Sequence, residues 1–158
     1  MKRGRTSLFY DSPIGILKIS GDAIYIHEVI FLKEGTDHSS LGNHVELLKK
    51  CALQLDEYFR GKRKVFHLPL LLDGTAFQKK VWQELEKIPY GKTLAYSDIA
   101  AMVGNPRAVR AVGGANNRNP VSIIVPCHRV IGKDGTLTGY GGGLWRKEWL
   151  LEHEKQNI

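Results

Sequence analysis

The apolar pattern of this chain changes character between Leu72 and Gly74, and that change limits it to two different kinds of structure in series. Before it, short β-prone runs dominate. Ser7-Leu8-Phe9-Tyr10 and Gly15-Ile16-Leu17-Lys18-Ile19-Ser20 flank the turn-like Asp11-Ser12-Pro13, as in a hairpin. Ala23 to Leu32 is a third run, rich in branched and aromatic residues. Val45, Leu48, Cys51, Ala52, Leu55, Tyr58 and Phe59 recur at helical spacing and predict a helix over 45–59. Cys51 lies on that stripe and reads as a small buried hydrophobe. Gly61 ends the helix, and Val65 to Leu72 reads as another strand.

Beyond the change, helices take over. Thr75 can cap a helix with Phe77, Val81, Trp82 and Leu85 on one side, ending before Pro89. Tyr90-Gly91-Lys92 is a turn, Tyr96 to Val103 a short helix, and Gly104-Asn105 a second turn. Pro106 is suited to the first position of the next helix, which runs to about Ala115 and is rich in small residues. Two short helices joined by a glycine-containing turn, the second bearing arginine, describe a helix-turn-helix; an ordinary helical hairpin has the same pattern. Trp145 and Trp149, one turn apart near the end, read as core. The expected fold is mixed α/β (α+β): an N-terminal β-rich domain over 1–72, and a mostly helical, winged-helix-like domain over 73–158.

Composition narrows the function classes. Hydrophobic residues make up 42% of the 158 and charged residues 25%, which suits a soluble globular chain and argues against disorder. No apolar run approaches the roughly 18 residues of a membrane span. The basic start, Met1-Lys2-Arg3, has no apolar segment after it of the kind a secretory signal needs. The two cysteines, Cys51 and Cys127, sit in no Cys-x-x-Cys pair, so neither a disulfide framework nor a metal site is expected. A reducing, cytoplasmic setting follows as the expectation. The net charge is +7, and residues 99–133 carry Arg107, Arg110, Arg118, Arg129 and Lys133 with no acid. Such a stretch suits a phosphate backbone, although a solvated basic face looks the same.

The chemistry concentrates in Asn119-Pro120, the apolar run Val121 to Val125, and Pro126-Cys127-His128-Arg129. The run should be a buried extended segment that delivers Cys127 at its end. A free thiol, with a pKa of about 8.5, is only about 3% thiolate at neutral pH. An adjacent base such as His128, with Arg129 adding positive potential, would make the sulfur a usable nucleophile. Neighbours in an extended strand point opposite ways, so contact between Cys127 and His128 requires a turn or a bridging water.

Ile124-Val125-Pro126-Cys127-His128-Arg129-Val130-Ile131-Gly132 resembles the active-site signature of the O6-alkylguanine-DNA alkyltransferases. The resemblance extends from Phe77 to Glu154 through Ala95-Tyr96-Ser97-Asp98-Ile99-Ala100, Gly104-Asn105-Pro106, Arg110-Ala111-Val112-Gly113-Gly114-Ala115, Asn119-Pro120, Tyr140-Gly141-Gly142-Gly143-Leu144 and Lys147 to Glu154. It implies a ribonuclease H-like fold for the first domain. It also implies repair of O6-alkylguanine, and of O4-alkylthymine, by irreversible single-turnover transfer of the alkyl group to Cys127. His128 would be the base, acting through a water, with Glu154 orienting it. Asn119 would brace the turn, and Tyr140 would sit against the purine and assist the leaving guanine. The carbonyls of Cys127 and Val130 would read the exocyclic amine, and the N–H of Gly141 would face O6. Some family members have serine at the Gly141 position, a difference that leaves a backbone contact intact.

The lesion base lies inside the duplex and has to be extruded. The resemblance assigns Arg110 to filling the gap in the stack and Tyr96 to crowding the phosphate, with Ser97, Asn105 and Lys133 as further DNA contacts. The implied partner is double-stranded DNA containing O6-alkylguanine, bound by a monomer with cooperative binding along DNA possible in principle. No cofactor, no metal and no membrane partner are implied, and the protein would associate with the nucleoid through DNA. Three alternatives lie beside this one: a lesion-binding relative without transfer, which would lack Cys127; a plain helix-turn-helix regulator; and a Cys-His hydrolase, for which no oxyanion-hole motif is present.

Overall fold

The computed structural model describes residues 4–38 and 45–158; Met1-Lys2-Arg3 of the basic start lies outside the described residues. The chain forms two compact units, Met1–Leu72 and Asp73–Ile158.

In the first unit, β1 (Thr6–Ser12), β2 (Gly15–Gly21) and β3 (Ile26–Phe31) make an antiparallel meander in the order β1-β2-β3. Leu17 lies between Tyr10 and Phe31, and Ile19 between Leu8 and Val29, so period-two alternation turns Leu17, Ile19 and Val29 inward. Helix α1 (Glu46–Phe59) covers the sheet with Leu48, Cys51, Leu55, Tyr58 and Phe59. Cys51 is fully buried, and burial pushes its thiol pKa up to about 12, which removes it as a nucleophile at neutral pH.

Two strand expectations need correction here. The run from Ala23 shortens to Ile26 because the Asp22 carboxylate accepts from the N–H groups of Ile24 and Tyr25, closing a turn. Val65 to Leu72 is not a strand. It contributes a single parallel bridge, Ile26 to Leu70, in which Ile26 N–H donates to Pro69 O and Leu71 N–H to Ile26 O. Pro69 has no N–H to extend a ladder. The Gln54 side chain occupies both backbone groups of His67, at 2.9 and 3.1 Å.

The second unit begins at α2 (Ala76–Leu85), where Thr75 and Gln78 form a reciprocal capping box. A two-residue strand, β4 (Leu94–Ala95), runs parallel to β5 (Val130–Ile131) and feeds α3 (Tyr96–Met102). The second helix of the pair, α4, spans Val109–Asn117 rather than starting at Pro106. Ala108 N–H closes a turn on Asn105 O, so Pro106 uses its fixed φ in that turn instead of in a helix. Trp82 Nε1 donates to Ala115 O at 2.9 Å and ties α2 to α4.

Helix α5 (Leu144–Gln156) departs from expectation most. Its inward residues are Lys147, Leu150 and Glu154, whereas Trp145 is 56% exposed and Trp149 lies half-buried, stacked on His153. The tryptophans are therefore not the core of this helix; two charged side chains occupy the buried face. Among the described residues no helix is long and apolar enough to cross a membrane.

Candidate active site

Asn119 organises the approach to Cys127. Its Nδ2 donates to the carbonyls of Val121 (3.2 Å) and Val125 (2.7 Å), and its Oδ1 accepts from Val121 N–H at 3.0 Å. Those three bonds fold the apolar run back on itself, so Val121 to Val125 is a series of turns and not the extended segment the pattern suggests. Within it, Ile123 sits at φ 72°, a left-handed conformation unfavourable for a β-branched residue. Cys127 N–H then donates to Val125 O at 2.8 Å, and Cys127–Arg129 forms one 3-10 turn. A turn is what neighbours need if Cys127 and His128 are to serve one site.

His128 is fully buried, and its Nε2 lies 2.6 Å from Glu154 Oε2. Glu154 reaches it from the last turns of α5. The carboxylate also takes two bonds from Arg129, Nε at 2.9 Å and Nη2 at 3.1 Å, and one from Gly91 N–H at 3.0 Å. Burial favours a neutral Glu154, but His128 and Arg129 together outweigh it and hold the carboxyl well below the usual range. For His128, burial dominates over the attraction of Glu154 and lowers the pKa, so the ring is neutral at rest. A carboxylate only accepts, which assigns the imidazole proton to Nε2 and leaves Nδ1 as the basic nitrogen. Nδ1 is buried with no protein hydrogen-bond partner.

Cys127 is 5% exposed. Burial pushes its pKa up to about 11, against smaller lowering effects of the Asn119 side chain and the Lys147 charge. At pH 7 the resting group is therefore a thiol, with far less thiolate than the few per cent expected of a free cysteine. The sulfur needs a base at the moment of reaction. Tyr140 is also buried; burial first, then the nearby Cys127 sulfur, push its phenol well above the ordinary value, so it is a neutral donor.

On the outer side of the same unit, α4 turns Val112, Ala115 and Asn116 inward and leaves Arg110, Ala111 and Asn117 exposed. A side chain placed at Gly113 would meet nothing, so the helix offers a flat, small-residue surface beside Arg110.

Comparison with known proteins bears on this arrangement. The family description "6-O-methylguanine DNA methyltransferase, DNA binding domain" matches residues 76–156, and "6-O-methylguanine DNA methyltransferase, ribonuclease-like domain" matches residues 7–72. The constitutive methylated-DNA–protein-cysteine methyltransferase of Bacillus subtilis is 54% identical over 156 residues, covering 92% of each chain. The crystal structure of the Mycobacterium tuberculosis O6-methylguanine methyltransferase superposes with a TM-score of 0.87 at 44% identity, covering 98% of this chain and 94% of that one. A structure of the M. tuberculosis protein in complex with DNA superposes with a TM-score of 0.85 at 45% identity, with the same coverage.

The chain belongs to the 6-O-methylguanine DNA methyltransferase family. Its activity is accordingly DNA repair by methyl transfer from DNA to a protein cysteine, and its fold is the mixed α/β arrangement expected, with a ribonuclease-like first domain and a helical DNA-binding second one.

Within that family frame, the structure brings Cys127, His128, Asn119, Tyr140 and Glu154 into one buried cluster. Val130 is buried at the start of β5, and Gly141 is exposed just after Tyr140. The Cys127 carbonyl already accepts from Val130 N–H and from Asn116 Nδ2 (3.2 Å), so any reading of a base by that oxygen has to share it. Arg110, Asn105 and Lys133 are exposed, and Ser97 is half-buried in the first turn of α3. The half-buried Tyr96 commits its hydroxyl proton to Thr138 O at 2.8 Å.

Arg129 requires a correction. It is 6% exposed and bound to Glu154 and to Ile88 O, so it is not one of the basic residues available to phosphate; Arg107, Arg110, Arg118 and Lys133 are exposed. Sequence reasoning also missed Asn116, Gly91 and Lys147. The spacing of Lys147 to Glu154, seven residues and two helical turns, was the one signal that put both on the same face. Among the described residues no group of three His, Cys, Asp or Glu side chains is placed to hold a metal ion.

Proposed function

We propose that Cys127 is the acceptor in a single-use transfer that reverses O6-alkylguanine, and O4-alkylthymine, in double-stranded DNA. The observation that carries this reading is the array Cys127–His128–Glu154, with His128 locked at 2.6 Å to Glu154 and its other nitrogen buried and unpartnered one residue from the sulfur. His128 Nδ1 takes the thiol proton through a bridging water, and Glu154 stabilises the imidazolium as it forms. The sulfur attacks the alkyl carbon, the C–O6 bond breaks with its electron pair leaving on guanine, and the proton finally resides on the guanine. Tyr140, a neutral buried phenol, lies against the purine and donates toward the leaving base. Val130 O reads the exocyclic amine together with Cys127 O, and Gly141 N–H faces O6.

A target inside the helix has to be extruded, at a cost of a few kcal/mol that a poorly paired lesion lowers. Arg110, exposed at the start of α4, fills the vacated stack, and Tyr96 crowds the flipped nucleotide's phosphate. Ser97, Asn105 and Lys133 hold the backbone on either side, in the minor groove, where a degenerate pattern suits a protein that meets lesions in any sequence. The protein acts as a monomer without cofactor, in the cytoplasm. A lesion binder that lacks transfer is the second reading, and the presence of Cys127 weighs against it.

Cys127→Ser tests this directly. The variant is expected to bind duplex containing O6-methylguanine as well as the parent while leaving every methyl group on the DNA. Methyl loss with the serine variant would refute the assignment.

A further inference from the structure

Among the described residues, the buried side-chain atoms without a protein partner include His128 Nδ1, the base of the transfer, and Asn116 Oδ1, which has no task in it. Asn116 lies on the inward face of α4, near its C-terminus, and is 1% exposed. Its Nδ2 donates to Cys127 O at 3.2 Å. That bond fixes which way round the amide sits, because a carbonyl can only accept and so has to meet the nitrogen. The amide oxygen is left close to the Cys127 carbonyl, buried and without a donor. The segment that carries Tyr140 packs on the next residue of α4: a Cβ on Gly139 would lie 3.0 Å from Asn117 Oδ1, and one on Gly141 3.5 Å from Asn117 O. Asn116 is thus at the seam of α4 with the two segments that hold the extruded base in the proposed function.

A buried carbonyl without a donor is unfavourable, and an apolar residue such as the neighbouring Ala115 would serve if packing were the only need. The oxygen is matched instead to a donor that arrives with the substrate. O6-alkylguanine in DNA offers just one. Alkylation at O6 leaves N1 without a hydrogen, N3 and N7 are acceptors, and N9 is bonded to the sugar, so the exocyclic amine is the base's one donor group. O4-alkylthymine has none, because its N3 loses its hydrogen in the same way. The Cys127 carbonyl is a poor acceptor for that amine, since it already takes bonds from Val130 N–H and Asn116 Nδ2.

We propose that Asn116 is a substrate-binding residue that selects the guanine lesion: its Oδ1 accepts from the exocyclic amine of the extruded base, alongside Val130 O. This rests on the reading of Cys127 as acceptor from an extruded O6-alkylguanine. The amide takes no part in bond breaking; its nitrogen stays on Cys127 O while its oxygen holds the amine. A thymine lesion leaves the same oxygen unsatisfied, and a site built around a donor disfavours a substrate that lacks it.

The test uses full-length protein in single-turnover reactions with duplexes carrying O6-methylguanine or O6-methylhypoxanthine, which differs only in lacking the exocyclic amine. In Asn116→Leu, a change of similar shape, methyl loss from the guanine lesion is expected to slow about tenfold, the worth of one hydrogen bond, and that from the hypoxanthine lesion to stay within about twofold. The selectivity of the wild-type protein for guanine over hypoxanthine therefore falls in the variant. Equal slowing on both lesions, with selectivity unchanged, would overturn the proposal, because a merely structural defect does not sense the amine. If Asn116→Leu does not fold, the 13Cγ NMR signal of Asn116 in Cys127→Ser decides. It is expected to move on binding the guanine-lesion duplex and not the hypoxanthine one; the same movement with both overturns the proposal. Failure of the acceptor reading is separately visible, since the methyl group would then map to a residue other than Cys127 with either lesion.

Discussion

Arg129 and Glu154 form a two-point ion pair inside the second unit, with Nε 2.9 Å from Oε1 and Nη2 3.1 Å from Oε2. The pair has a direct consequence for the acceptor site. Glu154 Oε2 also holds His128, so the arginine fixes the carboxylate that orients the base. It also keeps Glu154 ionised against a burial effect that would otherwise neutralise it. Arg129→Ala should therefore destabilise the protein by about 3–5 kcal/mol, the usual cost of stripping one partner from a buried pair, as measured by urea unfolding. Arg129→Lys should recover only part of this, because an ammonium does not reproduce the two-point contact.

Glu154→Gln isolates orientation from charge. The amide can still meet His128, but by donating as readily as accepting it no longer assigns the proton to Nε2. Transfer should slow by about 100-fold or more, within the range general-base catalysis supplies, while equilibrium binding to DNA stays unchanged. Stopped quenching of methyl loss alongside a binding titration separates the two.

Acid should unfold this protein in two stages of the same sign. His128 has a folded pKa below its ordinary value, so the unfolded chain binds a proton that the folded one refuses, and stability drops as pH falls below about 6.5. Glu154 is likewise depressed, so its contribution is complete above about 4.5 and is lost as pH falls below that. Urea midpoints across pH 3–8 should decline steadily from pH 7 downward. In His128→Gln the part of the decline between pH 6.5 and 5 should shrink; an unchanged profile would show that His128 is not the group responsible.

Arg110 and Lys133 should separate by what they do to the duplex. Arg110→Ala is expected to slow repair of duplex far more than reaction with the free base, because only the duplex requires a base to be extruded. Lys133→Ala should weaken binding to all sequences alike and reduce the salt slope of log K by about 1. Comparable losses on free base and duplex for the arginine variant would contradict its assignment to base extrusion.

Much of this was legible before any coordinates, and the failures share a cause. Thr75 announced a helix start because capping is local, its reciprocal bond with Gln78 emerging only in the structure, and the α1 stripe announced its buried face, Cys51 included. The Val121 to Val125 run misled because its composition says buried and β-branched, whereas its path is decided by three hydrogen bonds to the Asn119 side chain. Arg129 read as part of a basic surface because the carboxylate that buries it lies 25 residues further on. Trp145 and Trp149 drew attention to the wrong side of α5, since a helix that buries Lys147 and Glu154 inverts the ordinary rule that apolar residues face inward. These misses turn on polar side chains and their hydrogen bonds, local for Asn119 and 25 residues away for Arg129, and hydrophobic spacing carries no record of either.

The central claim is that Cys127 takes the alkyl group and keeps it. Incubating the protein with an excess of duplex containing one O6-methylguanine, then mapping peptides by mass spectrometry, tests this most directly. The account predicts one methyl group per protein molecule, as a thioether on the peptide containing Cys127, with repair stopping at one equivalent. A methyl group on any other residue, or continued repair beyond one equivalent, would contradict it.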